Sequence, residues 1–182
     1  MNRFPAIAIL AVTILPGLAR AAEDPQSVIV QDFEKRVSAY VQLHKTAESS
    51  LPKLKSTPEE EKISHHQHEL ARAIRAARSN AKTGDIFTPQ VAGEFRRLIV
   101  IAMKADGRGI ATSLQHSEPV HLHLRVNESY PANVPLQSTP PSLLLNLPKL
   151  PPEVEYRIEG RGLVLLDVRA NLVVDLIEDV FS

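Results

Sequence analysis

The sequence predicts an α+β fold, in which an N-terminal three-helix region packs on a small antiparallel C-terminal β-meander. Three observations predict it. Residues 22–110 contain three stretches with apolar side chains at helical spacing. Residues 130–152 hold seven prolines in 23 residues and predict an extended connector. The last thirty residues contain three short apolar stretches separated by loops. We expect the β-rich residues 119–182 to form one compact domain with the helices.

Each predicted helix begins at a capping residue. Asp24, Thr57 and Thr88 are each followed by proline, which is favoured in the first turn of a helix. Glu60 lies three residues after Thr57 and predicts a capping box at the second helix. The expected helices span residues 25–47, 58–80 and 89–106. Each has one apolar stripe, so the three helices should pack against one another or against a sheet.

Four segments are predicted to be strands. Pro119–Val126 alternates strictly between apolar and polar residues, which is typical of a half-exposed strand. The three strands of the meander are expected at Val154–Glu159, Leu163–Val168 and Leu172–Ile177. Between them lie two segments, 160–162 and 169–171, that end in glycine or asparagine and predict three-residue loops.

The loop lengths predict the strand register. With three-residue loops Glu159 pairs with Leu163, and Asp167 and Asp175 then lie on the exposed face of the sheet, near Arg157. Catalysis by paired carboxylates needs a cleft, whereas cross-strand ion pairs account for these charges without any chemistry. In this register the core face comprises Val154, Tyr156, Ile158, Val164, Leu166, Val168, Leu172, Val174 and Leu176.

The N-terminus has the layout of a secretory signal peptide at residues 1–21. Arg3 precedes an uncharged apolar run over residues 6–15, and small residues surround a cleavage point after Ala21 or Ala22. We expect an exported protein in the periplasm or outside the cell. The apolar run is too short to span a bilayer, so no integral membrane segment is expected after cleavage. The expected partner is an envelope or periplasmic protein.

Composition excludes several classes of function. The chain has 21 basic and 21 acidic residues, and this balance argues against binding of nucleic acid. It contains no cysteine, which excludes disulfide scaffolds, thiol catalysis and iron–sulfur clusters. The motifs of P-loop, dinucleotide-binding, HExxH and GxSxG proteins are also absent. No catalytic or cofactor-binding residue is therefore assigned.

Two histidine clusters are the candidate metal ligands. His65, His68 and Glu69 share the outward face of the second predicted helix, and His121 and His123 share one face of the strand predicted at 119–126. Zinc or nickel accepts such ligands, so a weak site would form if the clusters met in space. The alternative is that both clusters are simply solvated surface. Arg72, Arg75 and Arg78 form a basic strip that is expected to be solvated.

Two further segments carry a resemblance: GDIFTPQVAGEFRRLI at 84–99 and PPSLLLNLPKLPPEVEYRIEGRGLVLLDVRANLVVDLI at 140–177. They resemble a family of small exported bacterial proteins with no assigned activity. The closing EYR, Gly, LVLLD and LVVD pattern is also similar to C-terminal hairpin modules of periplasmic proteins, some of which are linked to nickel and cobalt homeostasis. The resemblance covers about a third of the chain. It implies an exported protein and supplies no catalytic residue.

The leading functional hypothesis is therefore a non-enzymatic exported protein with a binding or structural role in the envelope. Its first alternative is a periplasmic protein that binds divalent metal weakly through the histidine clusters. The second is a hydrolase of unrecognised type, which would need a cleft between helices and meander that contains Asp167, Asp175 or a histidine.

Overall fold

The described part of the chain forms three long helices, a one-turn helix and a three-stranded sheet, and residues 109–110 and 112 are also helical. A computed structural model describes residues 24–106, 109–110, 112, 123–131 and 139–181. The elements are α1 Pro25–Ser49, α2 Glu60–Ala77, α3 Pro89–Ala105, α4 Pro141–Leu144, β1 Val154–Glu159, β2 Gly162–Asp167 and β3 Leu172–Ile177. The predicted α+β class is confirmed. The predicted signal peptide at 1–21 lies outside the described residues.

Two of the three predicted caps are present. The Asp24 carboxylate accepts a hydrogen bond from the Gln26 backbone N–H at 3.1 Å, and the Thr88 hydroxyl accepts one from Val91 N–H at 3.3 Å. The predicted capping box of α2 is wrong. The chain is still extended at Glu59, so the Thr57 hydroxyl accepts only from the N–H of that residue and α2 begins afterwards.

The sheet is an antiparallel meander in the order β1-β2-β3. Glu159 pairs with Gly162, because Gly160 has a φ of 54° and closes a two-residue turn. The expected pairing of Glu159 with Leu163 is therefore wrong by one residue. A one-residue slip turns every side chain of a strand to the opposite face.

The slip reverses several expected positions. Asp167 and Asp175 lie on the core face and are 0% exposed, where the sequence predicted the exposed face. Val164 and Leu176, expected in the main core, pack on the opposite face in a small second cluster with Val173. The main core receives other residues of β2 and β3 in their place, namely Leu163, Leu165 and Ile177.

Four aromatic rings lie at the centre of the main core. Phe33 of α1 stacks on Phe87 at 5.7 Å between ring centroids and meets Phe95 of α3 edge to face at 4.8 Å. Tyr156 of β1 completes the group, with its ring 5.9 Å from that of Phe95. Edge-to-face and offset pairs are favourable beyond the area they bury. The cluster joins α1, α3 and the sheet into one core.

The strand expected at 119–126 is not formed in its described part. Residues 123–125 lack regular structure, and a turn follows in which Asn127 has a φ of 67°. Backbone pairing with β3 begins in that turn, where the Asn127 N–H donates to the Val173 carbonyl at 2.9 Å, and Ser129 then forms a bridge with Leu172. The connector at 130–152 also differs from an extended segment, because it contains α4 and buries Leu143.

No helix in the described ranges has both the length and the apolar character needed to cross a membrane.

Candidate functional site

A buried polar cluster joins α1 to the end of β2. The Tyr40 hydroxyl donates a hydrogen bond to Asp167 Oδ2 at 2.7 Å, and His44 Nδ1 lies 2.6 Å from the same oxygen. Asp167 Oδ1 accepts from the backbone N–H groups of Arg169 and Ala170 at 3.0 and 2.8 Å. Both oxygens of this carboxylate are therefore used to hold α1 and the β2–β3 turn in place.

The helical repeat explains why these side chains meet. Tyr40 and His44 are one turn apart on the buried stripe of α1, so both point at the sheet. Burial, reinforced by Asp167, raises the pKa of Tyr40 and keeps its hydroxyl protonated as a donor. A histidine paired with an aspartate resembles an acid–base dyad in its chemistry. However, His44 is 0% exposed and its Nε2 faces Glu48 Oε2 at 3.7 Å.

Asp175 is the second buried carboxylate and holds the loop between α2 and α3. Its Oδ1 accepts from the N–H groups of Gly84 and Leu176 at 2.9 and 2.8 Å. Its Oδ2 accepts from those of Ile86 and Phe87, both at 2.7 Å. Four backbone donors thus surround one side chain, and Phe87 is thereby placed in the aromatic core.

Arg78 lies at the end of α2, close to both buried carboxylates. Its guanidinium carbon is 5.1 Å from the centroid of the Tyr40 ring, and its Nη2 donates to the Val174 carbonyl at 3.0 Å. Burial lowers the pKa of Arg78, and the nearby charges of Asp175 and Asp167 oppose that shift. The Arg78 cation thus lies close to the charges of both Asp167 and Asp175.

The basic strip predicted on α2 belongs largely to the fold. Besides Arg78, Arg75 donates to the Asn127 carbonyl and to the Ser129 hydroxyl, both at 2.7 Å. Only Arg72 of the strip is strongly exposed, and it pairs with Glu69 at 2.5 Å. The expectation of a solvated strip therefore fails for two of its three arginines.

An open cavity lies beside α2. It has a volume of about 1100 Å³ and is lined by residues 51–57 on one wall and by α2 side chains between Glu59 and Glu69 on the other. We call it the α2 groove. A second cavity of about 640 Å³ lies near the β1–β2 turn and is lined in part by His123 and Arg161. Neither cavity is lined by Asp167, Asp175 or His44.

The predicted metal ligands are divided between these places. His65, His68 and Glu69 line the α2 groove, His123 lines the second cavity, and His121 lies outside the described residues. Within the described ranges no three His, Asp or Glu side chains are grouped as a metal ion requires. The five-residue site stays a prediction. It would be supported by a zinc-dependent rise in melting temperature that is abolished both by H65Q/H68Q and by H121Q/H123Q.

Sequence reasoning missed His44 and one wall of the α2 groove. A signal for His44 was present, because it follows Tyr40 by four residues on the same apolar stripe. The groove wall also had a signal, since Pro52 and Pro58 bracket a short segment that contains Lys53 and Lys55.

Comparisons of the chain with protein-family models, curated proteins and solved structures found no match. The resemblance of residues 84–99 and 140–177 to small exported bacterial proteins stays a prediction. In the structure these two segments meet, because Asp175 of the second binds the backbone of residues 84–87 in the first.

Proposed function

We propose that this chain is an exported, non-enzymatic binding protein that acts in the periplasm or outside the cell by contact with an envelope partner. One observation carries the proposal: the polar groups fall into two sets. The buried set is engaged in holding the fold together. The set along the α2 groove is exposed to solvent and is only partly engaged in contacts within the chain.

The buried set supports a role other than acid–base catalysis. A general acid or base must reach a proton of the substrate, directly or through one water. Asp167 and Asp175 are 0% exposed, and their oxygens accept hydrogen bonds from groups of this chain. A substrate would have to displace those donors, and the loop or turn that each carboxylate holds, before reaching either group.

The α2 groove supports a role in binding. Its volume of about 1100 Å³ is slightly above the range of roughly 300–1,000 Å³ for ligand sites. It is open along its length and combines apolar side chains such as Leu54 with lysine, serine and histidine. An open, mixed surface of this kind fits a segment of a macromolecule better than a small enclosed ligand.

The export part of the proposal has a direct test. The chain is expressed in a bacterial host with residues 1–21 present or deleted, and the periplasmic fraction is sequenced from its N-terminus. We expect the exported form to begin at Ala22 or Glu23, and the deleted form to remain in the cytoplasm. An unprocessed chain that stays in the cytoplasm contradicts export.

The binding part is tested by photo-crosslinking in the same cells. A photoreactive residue replaces Leu54 in the groove, and the matched control carries it at Ala76, which is exposed on α2 outside the groove. We expect an adduct of discrete mass at position 54 and none at position 76. Equal labelling at both positions, or labelling at neither, contradicts a binding role for the groove.

A further inference from the structure

Resting on the proposed function, we infer that the α2 groove binds an extended acidic peptide segment of its partner, along residues 53–56. The segment would carry acidic side chains at alternate positions, opposite Lys53 and Lys55. The inference combines three properties of this wall, namely its backbone, its charge and its apolar surface.

The first property is a free backbone. Residues 53–56 are exposed, have no helix or strand conformation, and make no backbone hydrogen bond within the part of the chain that the structure describes. Leu51 and Thr57 precede prolines, which restrict them to extended conformations. An exposed segment with unpaired N–H and C=O groups can pair with the backbone of an extended peptide, as the exposed edge of a sheet does.

The second property is uncompensated positive charge. Lys53 and Lys55 form no ion pair in the described ranges, and the wall formed by residues 51–57 contains no acidic residue. On the opposite wall Lys62 pairs with Glu59 at 2.7 Å, and Glu69 pairs with Arg72 outside the groove. The free cations therefore lie along the same wall as the free backbone.

The spacing of Lys53 and Lys55 determines which peptide sequence the groove would favour. Lys53 and Lys55 both line the groove, and alternate side chains of an extended peptide point to one side, so the two lysines match carboxylates at alternate positions of the bound peptide. Leu54, between them, is 42% exposed and offers an apolar contact for the intervening residue. The favoured sequence is acidic, apolar, acidic. Glu61 on the opposite wall has no ion pair in the described structure, so acidic residues are disfavoured on that side.

The shape of the site favours a peptide over a lipid surface. A flat bilayer surface contacts protruding groups, whereas these lysines line one wall of a concave groove. The free backbone groups also have no counterpart in a headgroup layer but match those of an extended chain.

The test uses the exported chain, residues 22–182, and fluorescent peptides in an anisotropy titration. The probe peptide alternates glutamate with leucine, and the control peptide has glutamine in place of every glutamate. The variant K53Q/K55Q is compared with K35Q/K104Q, which removes the same charge from exposed lysines on α1 and α3. We expect the glutamate peptide to bind and the loss of Lys53 and Lys55 to weaken it about tenfold, from two ion pairs of up to ~1 kcal/mol each. The control variant should bind like the wild type.

Backbone pairing is tested separately with L54P and L54A. Proline removes one N–H that the fold does not use, so the melting temperature should change little. We expect binding to be lost in L54P and largely kept in L54A. Equal affinity of L54P and L54A overturns backbone pairing, and equal affinity of the two peptides overturns acidic selectivity.

The outcomes also separate this inference from the function on which it rests. If position 54 crosslinks in cells but the glutamate peptide does not bind, the groove has a different ligand and only the inference fails. If phosphatidylglycerol vesicles bind through Lys53 and Lys55 while the peptide does not, the ligand is a lipid surface and the inference is again overturned. If the chain is neither exported nor crosslinked, the proposed function itself fails.

Discussion

Replacing Asp175 by asparagine is the most direct test of how the fold is held together. The substitution keeps the size of the side chain but turns one carboxylate oxygen into an NH₂ group. The two oxygens accept from four backbone donors, two on each oxygen, at 2.7–2.9 Å. The amide of asparagine has one accepting oxygen, so two of the four N–H groups lose their acceptor and face another donor instead.

The size of the effect follows from those two lost acceptors. A buried donor without a partner costs about 1–3 kcal/mol, so Asp175→Asn should cost about 2–6 kcal/mol of unfolding free energy. Domains are stable by only about 5–15 kcal/mol. At roughly 2–4 °C per kcal/mol for a chain of this length, the melting temperature should fall by about 5–20 °C.

Urea and thermal denaturation followed by circular dichroism measure this loss. Glu34→Gln is the matched control, because Glu34 is exposed on α1, and it should change stability by less than about 0.5 kcal/mol. Amide hydrogen exchange in the wild type gives an independent readout, in which Ile86 and Phe87 should be protected. If D175N loses less than about 1 kcal/mol, or if those amides exchange freely, the reasoning is refuted.

Three further predictions concern the buried polar groups. Burial raises the pKa of all three tyrosines above the unfolded value near 10. Their contribution to the free energy of unfolding is therefore complete below about pH 10 and is lost as the pH rises further. Absorbance at 295 nm should therefore show tyrosinate appearing together with alkaline unfolding; titration of the folded chain near pH 10 would contradict this. Tyr40→Phe removes one of two side-chain donors to Asp167 and should cost about 1–3 kcal/mol in urea denaturation, and an unchanged midpoint would argue against it. Arg75→Gln removes two hydrogen bonds to the 127–129 segment and should raise amide exchange of Val173, which pairs with that segment, whereas the exposed control Arg72→Gln should leave it unchanged.

The helices were predictable because their signals are local. A capping residue, the proline after it and the apolar stripe all lie within one element, and α1 and α3 begin where those signals place them. The exception is Thr57, whose capping box fails because the chain stays extended through Glu59. An extended residue between a cap signal and the helix, such as Glu59, cannot be recognised from residue types alone.

The sheet register could not be derived in the same way. Gly160 and Gly162 are two residues apart, and either can take the left-handed conformation that a tight turn requires. Choosing Gly162 gives a three-residue loop, whereas the structure uses Gly160 and a shorter turn. Both choices leave β2 almost entirely apolar, so hydrophobic alternation does not distinguish them.

The polar contacts of the site are beyond sequence reasoning for a related reason. Asp175 binds residues 84–87, which lie about ninety positions earlier in the chain, and Asp167 binds Tyr40 and His44 across more than 120 positions. Contacts between residues so far apart in the chain produce no periodic pattern in the sequence. By contrast, the α2 groove is formed by neighbouring segments. Its His65, His68 and Glu69 were predicted to share the outward face of the second helix, but the groove itself was not predicted.

The register links the fold to the choice between functional hypotheses. In the expected register Asp167 and Asp175 would lie on an exposed face beside Arg157, where a substrate could contact both carboxylates. The shorter turn at Gly160 brings Asp167 of β2 to the core face, and Asp175 of β3 follows because it pairs with the core residue Leu165. One carboxylate there binds α1 and the other binds the α2–α3 loop. A sheet face of apolar residues alone could pack against helices in several orientations, whereas two buried acceptors require particular donors opposite them. The carboxylates that would have supported a hydrolase therefore determine how the helices dock, and the proposed binding function rests instead on the exposed polar groups along the α2 groove.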